Sequence, residues 1–427
     1  MRLQKIQERF HRLHPKKIDL SLDRIKRLTK KLGNPQDKLK IISVIGTNGK
    51  FSTAQAILSI LEENNYKCDL YTSPHIRKIN ERFIFSGKQI SDNKLSYLLE
   101  EVETVNNQEP ITFFEILTAA FFLGASRSDS DISIVESGLF HRFDACSIIK
   151  QNIASVITAI GLDHLDWLPK NEKTIDRIIF EKTSKLLESN IIVAEQKNEE
   201  IIKKIDRSIK KNKSKKIFYN KNFKYFKDNN NFFYYKDRYG KLKLPCPNLL
   251  GDFQLSNIST AIATLRSVKK LKISNEKVKL GIKKIKSIAR IQEIKKGKLK
   301  KLAKNNTLII DVSHNPLGAS VLKTYLESLD KSKKIFMIVG MMKNKDHSQY
   351  FLHFKNKVEN ITAVNIKNEK NCIKKNNLKK IILKSSIKSN TAKNIKEAIK
   401  NIAKKNKKNI ILITGSCYLA SEVLSLN

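Results

Sequence analysis

The amino-acid sequence predicts an α/β protein with largely parallel sheets. Short apolar runs rich in Ile and Val alternate along the chain with segments of helical periodicity. Many of these runs end in small or polar residues, and a Gly-rich turn at 46–49 joins the first of them to a helical segment at 54–63. Because alternating strands and helices are typical of βαβ units, we expect parallel sheets covered by helices.

Seven apolar runs are predicted strands, at 40–45, 67–72, 132–135, 153–160, 307–312, 334–339 and 409–414. The basic segment at 199–213 has a helical pattern, and the aromatic, turn-rich segment at 218–242 predicts short antiparallel strands. A chain of 427 residues is long enough for two domains. We expect a first domain over residues 1–290 and a smaller second domain over 291–427.

The chain is strongly basic, with 83 Lys and Arg against 41 Asp and Glu and a net charge of +42. Such a balance is typical of proteins that bind nucleic acid. However, lysine is spread over many runs, and aromatic residues make up only 7% of the sequence, so stacking platforms are sparse. We favour compositional drift, with attraction of anionic substrates as a secondary benefit.

The cysteines and the apolar runs indicate the cellular setting. The five cysteines show no Cys-x-x-Cys spacing, which predicts neither a disulfide framework nor a zinc site. The N-terminal segment is charged, and no apolar run approaches the length of a membrane span. We therefore expect a cytoplasmic protein without a membrane partner.

The segment after the first predicted strand carries the clearest functional signal. Its residues are Gly46, Thr47, Asn48, Gly49, Lys50, Phe51, Ser52 and Thr53. In a strand, turn and helix of this kind, backbone N–H groups and the helix dipole face an anion, and lysine adds a full charge. The usual P-loop pattern is incomplete, because Val44 replaces its first Gly and the hydroxyls come one place late. We predict phosphate binding, with an ordinary Gly turn as the alternative.

Polar side chains also follow other predicted strands. Ser73, Glu136 and His164 offer a hydroxyl, a carboxylate and an imidazole, which beside a phosphate loop could hold Mg²⁺ or Mn²⁺. The alternatives are a capping or core histidine at 164 and a helix-start carboxylate at 136. Residues 311–316 suit contact with ribose, phosphate or substrate, although Asn315 before Pro316 is also typical of a helix N-cap.

Eight segments, in this order, resemble the folylpolyglutamate synthase/dihydrofolate synthase branch of the Mur ligase family. They include Tyr-Thr-Ser-Pro-His at 71–75, Gly-Leu-Asp-His at 161–164 and Phe-Glu-Lys at 180–182, with the others at 46–53, 80–82, 112–115, 311–316 and 415–420. They cover nearly the whole chain. The resemblance implies a P-loop, Mur-ligase-like ATP-binding domain with a mostly parallel sheet, followed by a smaller, Rossmann-like α/β domain that acts in glutamate ligation.

The resemblance also implies which residues bind the nucleotide. The residues expected to contact ATP are Gly46, Thr47, Asn48, Gly49, Lys50, Ser52, Thr53, Asn257, Arg290 and Asp311.

Metal binding and catalysis are implied in the same way. Ser52, Ser73, Glu136 and His164 would hold Mg²⁺, with Mn²⁺ or K⁺ as possible additional cations. Lys182, which spacing alone would assign to the surface, stands where the family has a carbamylated lysine that helps hold a second metal. Lys50, Lys182 and His314 would be the catalytic residues, with His314 near the reacting carboxylate and the incoming glutamate.

Three residues depart from the family pattern. Phe51 stands where the family has Gly, and Phe140 and His141 replace two glycines in the loop 138–144. Because these side chains are large, we expect them to crowd the phosphates or the pterin loop, to lower activity or to alter substrate preference.

Together these observations predict a monomeric ATP-dependent ligase that adds L-glutamate to a pteroate or folate through an acyl phosphate and binds no specific nucleic acid. The alternatives are a divergent Mur-family amide ligase with another carboxylate substrate, a degenerate homologue and, least favoured, a basic nucleic-acid-binding NTPase. A cell-wall Mur ligase is disfavoured because only 45 residues precede Gly46, too few for its sugar-nucleotide domain.

Overall fold

The structure, a computed structural model, describes residues 2–14, 19–228, 231–404 and 408–427. The chain divides into two compact units. The first comprises Met1–Ile160, Thr174–Asn248 and Gln254–Ile285, and the second comprises Gly161–Lys173, Leu249–Phe253 and Lys286–Asn427. The second unit therefore includes two short segments from the middle of the sequence, in addition to the C-terminal part of the chain. The domain division at 290/291 stays a prediction.

The first unit contains nine of the helices formed by the described residues. They are α1 (Arg2–Phe10), α2 (Asp23–Lys31), α3 (Lys50–Glu63), α4 (Asp92–Asn106), α5 (Phe113–Ser126), α6 (Ile175–Thr183), α7 (Glu199–Ser208), α8 (Phe253–Ser267, beginning at the last residue of a second-unit segment) and α9 (Asn275–Lys284).

The strands of the first unit form two sheets. They are β1 (Ile41–Ile45), β2 (Cys68–Tyr71), β3 (Phe83–Phe85), β4 (Lys88–Gln89), β5 (Ile132–Glu136), β6 (Ala154–Ile157), β7 (Asn190–Val193), β8 (Lys216–Phe218), β9 (Phe223–Lys227), β10 (Phe232–Asp237) and β11 (Gly240–Pro245). The large sheet has the order β4-β3-β2-β5-β1-β6-β7-β8, and β9, β10 and β11 form a separate sheet.

The order of the large sheet decides which residues can meet at its edge. β1 pairs in parallel with β5 on one side and β6 on the other, and β2 pairs in parallel with β5. Val44 lies opposite Glu136, so the carboxyl end of β5 comes beside the end of β1. Ligands of open α/β sheets bind beyond the carboxyl ends of strands, where the strand order reverses.

Both faces of the large sheet are buried at its centre, where β1 consists of five buried residues. On one side, α1, α2 and α5 contribute to a core in which the Tyr71 ring lies between those of Phe83 and Phe121, with centroids 5.6 and 4.9 Å away. This core fixes β2 and β5, and with them the two strand ends that carry Ser73 and Glu136.

The second unit is built on a six-stranded sheet. Its elements are β12 (Gln292–Glu293), α10 (Lys298–Ala303), β13 (Thr307–Ile310), α11 (Pro316–Glu327), β14 (Ile335–Val339), α12 (His347–Leu352), β15 (Asn360–Ala363), α13 (Lys375–Lys384), β16 (Ser389–Thr391), α14 (Ile395–Ala403), β17 (Ile410–Thr414) and α15 (Cys417–Leu426). The strand order is β12-β13-β17-β14-β15-β16, with all pairs parallel except β12 with β13.

The predicted fold class is confirmed, and each of the seven predicted strands is present. The aromatic segment forms antiparallel strands as predicted, although they extend to Pro245. The helix after the Gly-rich turn begins at Lys50, four residues earlier than its apolar pattern begins. The sequence analysis did not identify β7 and β15, because apolar runs this short do not distinguish a strand from part of a helix.

Candidate active site

The turn after β1 can be formed only with glycine at two positions. Gly46 and Gly49 have φ angles of +149° and +89°. A Cβ at Gly46 would lie 2.0 Å from Thr158 Oγ1, and a Cβ at Gly49 would lie 2.6 Å from Asn257 Oδ1. The two glycines therefore allow the turn to pass close to β6 and α8 before α3 begins at Lys50.

Two N–H groups of this turn are used within the fold. The N–H groups of Thr47 and Asn48 donate to the carbonyl oxygen of Ala159, at 2.9 and 3.1 Å. The sequence analysis expected the N–H groups of the turn to face an anion, but these two join the turn to the segment after β6. The start of α3, where the helix dipole is positive, is the other part of the loop suited to an anion.

Two lysine ammonium groups converge on the turn. Lys50 Nζ donates to the carbonyl oxygens of Gly46 and Thr47, at 3.2 and 3.1 Å. Lys182 Nζ, from α6, donates to the same Gly46 carbonyl at 2.8 Å and to the Leu139 carbonyl at 3.0 Å. The turn thus receives two lysine side chains from segments more than a hundred residues apart. Lys50 stands at the helix start, where a cation would balance the charge of a bound phosphate.

An ion cluster holds the end of α6 that carries Lys182. The Glu181 carboxylate accepts from Arg142 Nε and Nη2, at 2.9 and 2.7 Å, and lies 2.8 Å from Arg177 Nη2. The Glu181 carbonyl accepts the N–H groups of His141 and Arg142. These bonds fasten the loop 138–144 to α6. Lys182 is itself only 2% exposed, so the surface position that spacing alone would assign to it is wrong.

Phe140 and His141 are buried in the protein. The Phe140 ring centroid lies 5.6 Å from Lys182 Nζ, and His141 Nδ1 lies 3.2 Å from Ser137 Oγ. Burial, with the nearby charge of Lys182, lowers the pKa of His141 to about 4. Neither residue has a positive φ, so the loop does not need glycine at these two positions.

A buried carboxylate lies at the end of β5, beside the turn. Glu136 is 3% exposed, and its Oε2 accepts the N–H of Ser73 at 3.2 Å. The parallel pairing of β2, β5 and β1 brings these residues to one edge with the turn. The hydroxyl of Ser52 in the first turn of α3 is also buried. These are hard oxygen donors, which suit Mg²⁺.

No group of three or more His, Cys, Asp and Glu side chains with a metal-binding arrangement occurs in the described ranges. The oxygen donors of Ser52, Ser73 and Glu136 nevertheless fit a Mg²⁺ site completed by phosphate oxygens and water, which is how proteins commonly bind this ion.

Asn257 lies on α8 next to the turn. Its Oδ1 is 3.5 Å from Thr53 Oγ1, and its Nδ2 donates to Gln254 Oε1 at 3.0 Å. The first unit therefore brings Asn257 to the turn at 46–49 from a position about two hundred residues later in the sequence.

In the second unit, the Asp163 carboxylate is the centre of a cluster of polar and cationic groups. Lys345 Nζ donates to its Oδ1 at 2.7 Å, and Asn315 Nδ2 donates to its Oδ2 at 2.8 Å. His314 Nε2 and His164 Nε2 lie 3.3 and 3.8 Å from Oδ2. We call these five residues the Asp163 cluster. Burial alone would raise the pKa of Asp163, but the charges of His164, His314 and Lys345 lower it well below its ordinary value.

The Asp163 cluster is tied to the start of α11. Asn315 Oδ1 accepts the N–H of Gly318 at 2.8 Å, so the residue acts as the N-cap that its position before Pro316 indicated. His314 Nδ1 lies 2.8 Å from the Val312 carbonyl. A cavity of about 280 Å³ adjoins the cluster and is lined by His164, Asn315 and Lys345, among others.

Asp311 and Arg290 also belong to the second unit. The Asp311 carboxylate accepts the N–H groups of Ile291 and Ser313, at 2.9 and 2.7 Å. Burial raises the pKa of Asp311 above its ordinary value, although the charge of Arg290 acts in the opposite direction. Asp311 thus already shapes the backbone around 291 and 313.

The structure brings the predicted site residues into two groups. The turn, Ser73, Glu136, Lys182 and Asn257 meet in the first unit, whereas His164, Arg290, Asp311 and His314 belong to the second. The sequence analysis assigned no role to Lys345 or to the side chain of Asp163. No local pattern could have paired them, because 182 residues separate the two.

Comparison with known proteins relates both parts of the chain to domains of the same family. The Mur ligase middle domain matches residues 44–265, and the glutamate ligase domain of Mur ligases matches residues 297–417. The dihydrofolate synthase/folylpolyglutamate synthase of Buchnera aphidicola subsp. Acyrthosiphon pisum is 31% identical, over 78% of this chain and 76% of its own length. The Escherichia coli K12 protein of the same name is 28% identical, over 78% and 75%.

Solved structures are similar along almost the whole chain. Escherichia coli FolC in complex with DHPP and ADP has a TM-score of 0.87 at 25% identity and covers 99% of this chain and 97% of its own. The bifunctional folylpolyglutamate synthase/dihydrofolate synthase of Yersinia pestis, with AMPPNP and Mn ion, has the same fold, with a TM-score of 0.85 at 23% identity and coverage of 99% and 97%. The chain therefore belongs to the Mur ligase family, in its dihydrofolate synthase/folylpolyglutamate synthase branch.

Proposed function

We propose that the chain is an ATP-dependent ligase that adds L-glutamate to dihydropteroate, to a reduced folate or to both. Membership of the family supports this class of reaction. The observation that carries the proposal for this chain is the convergence of Lys50 and Lys182 on the turn at Gly46.

The reaction needs an activated carboxylate, because a carboxylate is itself a poor electrophile. The γ-phosphoryl group of ATP passes to the substrate carboxylate, which gives an acyl phosphate and ADP. The amine of glutamate then attacks the acyl carbon and loses a proton, and the tetrahedral intermediate releases phosphate as the amide forms. Exclusion of water from the site would protect the acyl phosphate from hydrolysis.

ATP is proposed to bind at the turn of the first unit. Gly46, Thr47, Asn48 and Gly49 would surround the phosphates, with Ser52 and Thr53 at the start of α3. Since Thr47 and Asn48 use their N–H groups within the fold, we propose that they contribute side-chain donors. Lys50 balances the charge that develops during phosphoryl transfer. Asn257, Arg290 and Asp311 are proposed contacts of the rest of the nucleotide.

Ser52, Ser73 and Glu136, with His164, are proposed ligands of Mg²⁺, or of Mn²⁺ given the imidazole, with K⁺ as a possible further cation. A divalent cation held by these residues would reduce the charge of the phosphate oxygens during phosphoryl transfer. Glu136 is held for this role by the core strand β5 and by its bond to the N–H of Ser73.

Lys182 is proposed to act as a carbamate. The ammonium group first loses a proton, and CO₂ then adds to the neutral amine with release of a second proton, which leaves a carboxylate. The side-chain charge therefore changes from plus one to minus one. The unmodified amine instead donates to the carbonyls of Gly46 and Leu139. Carbamylation would remove most of this hydrogen bonding by the amine. Attraction between the new carboxylate and a nearby cation would compensate for the loss.

His314 is proposed to lie near the reacting carboxylate and the incoming glutamate. Its ring is held from two sides, by the Val312 carbonyl and by Asp163. A ring fixed in this way can position a substrate without an entropic cost at the moment of reaction.

We further propose a cytoplasmic monomer that binds no specific nucleic acid. In the described ranges, no helix is both long enough and apolar enough to cross a bilayer. The burial of Phe140 and His141 favours a working ligase over a degenerate homologue, since both side chains pack inside the protein.

The test is phosphate release from ATP, measured with L-glutamate and each pterin substrate in turn. We expect release only when glutamate and either dihydropteroate or a reduced folate are both present. Equal release without glutamate, or none with any of these acceptors, would contradict the proposal. Release with a different carboxylic acid would instead support the divergent ligase.

A further inference from the structure

The three-stranded sheet of the first unit has one face buried and one exposed. Phe223, Phe233, Tyr235 and Leu244 point to the buried side. The alternation of a strand places Lys224 and Phe226 of β9 on the opposite face, with Phe232, Tyr234 and Lys236 of β10 and Lys241 and Lys243 of β11. We call these seven residues the exposed β-face.

The exposed β-face combines aromatic rings with ammonium groups. Phe226 and Phe232 are 45% and 38% exposed, large fractions for phenylalanine. Phe226 lies directly opposite Tyr234, which lies opposite Lys243 on the next strand. Lysine Nζ atoms lie near all three ring centroids: Lys224 at 5.0 Å from Phe226, Lys241 at 3.8 Å from Tyr234 and Lys243 at 4.6 Å from Phe232.

The charge on this sheet is almost entirely positive. The only acidic residue within its three strands is Asp237, and Arg266 holds it through two hydrogen bonds, at 2.8 and 3.3 Å. Asp228 comes one residue after β9. In the part of the chain that the structure describes, no carboxylate forms an ion pair with the four lysines of the exposed β-face.

The basic surface continues past the sheet into a cavity of about 450 Å³. Its lining includes Lys215, Lys221, Lys224, Lys236, Arg238 and Arg266. The whole sequence has only 14 arginines. A compositional drift toward lysine therefore does not explain why two arginines, Arg238 and Arg266, line this one cavity. The guanidinium carbons of Arg238 and Arg266 lie 4.5 and 5.1 Å from the ring centroid of Tyr239, which is 54% exposed.

We propose that the exposed β-face binds single-stranded nucleic acid without sequence preference. Bases stack on exposed aromatic rings whatever their identity, and lysines neutralise the phosphates between them. An ammonium group lies over each ring of this face. A base that stacks on the ring displaces the ammonium group, and the flexible lysine side chain can then reach the phosphate of that nucleotide. A polycarboxylate would match the charge of the surface but would not use the three rings. This property is separate from the ligase reaction.

The first test uses the whole protein and a fluorescent 20-nucleotide oligo(dT), followed by anisotropy. Triple replacement of Phe226, Phe232 and Tyr234 by Leu keeps the net charge and should weaken binding by about tenfold or more, because each stacked base contributes substantially. Replacement of Lys224, Lys241 and Lys243 by Gln should make the slope of log K against log salt less steep by about two, because each lost phosphate contact contributes ~0.7 to the slope.

A matched variant controls for total charge. Replacing the exposed lysines Lys380, Lys384 and Lys396 by Gln removes the same charge from helices of the second unit. This variant should bind oligo(dT) nearly as well as the unmodified protein. If it loses as much affinity as the exposed β-face variant, binding reflects net charge alone and the proposal is wrong.

A second measurement does not depend on whether the variants fold. An abasic 20-mer has the same phosphates without bases and should bind the unmodified protein at least about tenfold more weakly than oligo(dT). A duplex of equal length, whose bases are already stacked, should also bind more weakly. Equal affinity for oligo(dT) and the abasic strand would overturn the proposal, as would tighter binding of the duplex or of poly-γ-glutamate.

Discussion

The turn at 46–49 and the Asp163 cluster both bring charged side chains together, but they are built differently. The turn uses consecutive residues after one strand, two glycines with positive φ and backbone carbonyls that orient Lys50 and Lys182. The Asp163 cluster gathers side chains from three separate segments around one buried carboxylate.

Because of this difference, we expect Lys50 to act mainly in catalysis and Asp163 to act mainly in the stability of the fold. Lys50 bonds only carbonyl oxygens that water could also satisfy, so its charge is available for a ligand. The charge of Asp163, by contrast, is already matched by Lys345, whose side chain is only 10% exposed. Removing the charge of Lys50 should therefore affect catalysis, whereas removing the charge of Asp163 should affect folding first and catalysis only through His164 and His314, which lie beside it.

The largest expected effect is that of Lys50→Ala. We expect the rate of ATP-dependent ligation to fall by about a thousandfold or more, because a cation at the transferring phosphoryl group acts mainly in the transition state. The unfolding temperature should change little. Lys30→Ala, at an exposed site on α2, is the control. A Lys50→Ala enzyme that keeps most of its rate would show that this turn is not the ATP site.

Lys182 tests whether the second cation of the turn is converted to an anion. Lys182→Ala should lose about a hundredfold or more in rate, and a short carboxylic acid in solution should restore part of it, since the acid replaces the carbamate. The unmodified enzyme should also lose activity in CO₂-free buffer and regain it with bicarbonate. Normal rates for Lys182→Arg would refute the carbamate, because guanidinium stays charged and does not take up CO₂ in this way.

Asp163→Asn should have its main effect on stability. The substitution keeps the size of the side chain but leaves the mostly buried side chain of Lys345 without its carboxylate. Such a loss in a fully buried pair costs about 3–5 kcal/mol of unfolding free energy, which is the upper limit expected here. Urea unfolding would measure the change. Asp166→Asn is the matched control in the same segment, because Asp166 accepts one exposed hydrogen bond from Asn344. Equal stability of the two variants would contradict the role of Asp163 as the centre of its cluster.

The same contrast explains what the sequence could predict. The turn was identifiable because its signal is local: a strand, two glycines, a lysine and a helix start follow one another. Ser73 and Glu136 could be associated with it because each follows an apolar run. Lys182 had no local signal at all, and only its place in the family pattern distinguished it from the many other lysines.

The missed features depend on contacts that a linear pattern does not contain. Lys345 comes from a loop after β14 and meets Asp163 only through the fold. The charge total and the low aromatic content gave no sign of the exposed β-face, because its rings and lysines meet across three strands. The burial of Phe140 and His141 was also unpredictable, since size alone does not tell which way a side chain points.

The smallest expected effect concerns His347, two residues after Lys345. Its Nε2 lies 2.9 Å from the Met342 carbonyl and so helps to fix the loop that carries Lys345. Burial lowers the pKa of His347 below its ordinary value of about 6.5, outweighing that bond and the charge of Asp346. The unfolded chain therefore binds a proton more tightly than the folded chain, and stability must fall as the pH drops below about 6.5.

Each unit by which the pKa is lowered contributes about 1.4 kcal/mol to this loss. His347→Gln keeps a donor for the Met342 carbonyl but does not titrate. We expect the difference in unfolding free energy between the native protein and this variant to be constant above pH 7.5 and to shift in favour of the variant between pH 6.5 and 5. Urea unfolding at several pH values would measure it. A difference that stays constant over the whole range would show that protonation of His347 does not change the stability of this loop. Lys345 would then be held by its ion pair with Asp163 at every pH tested.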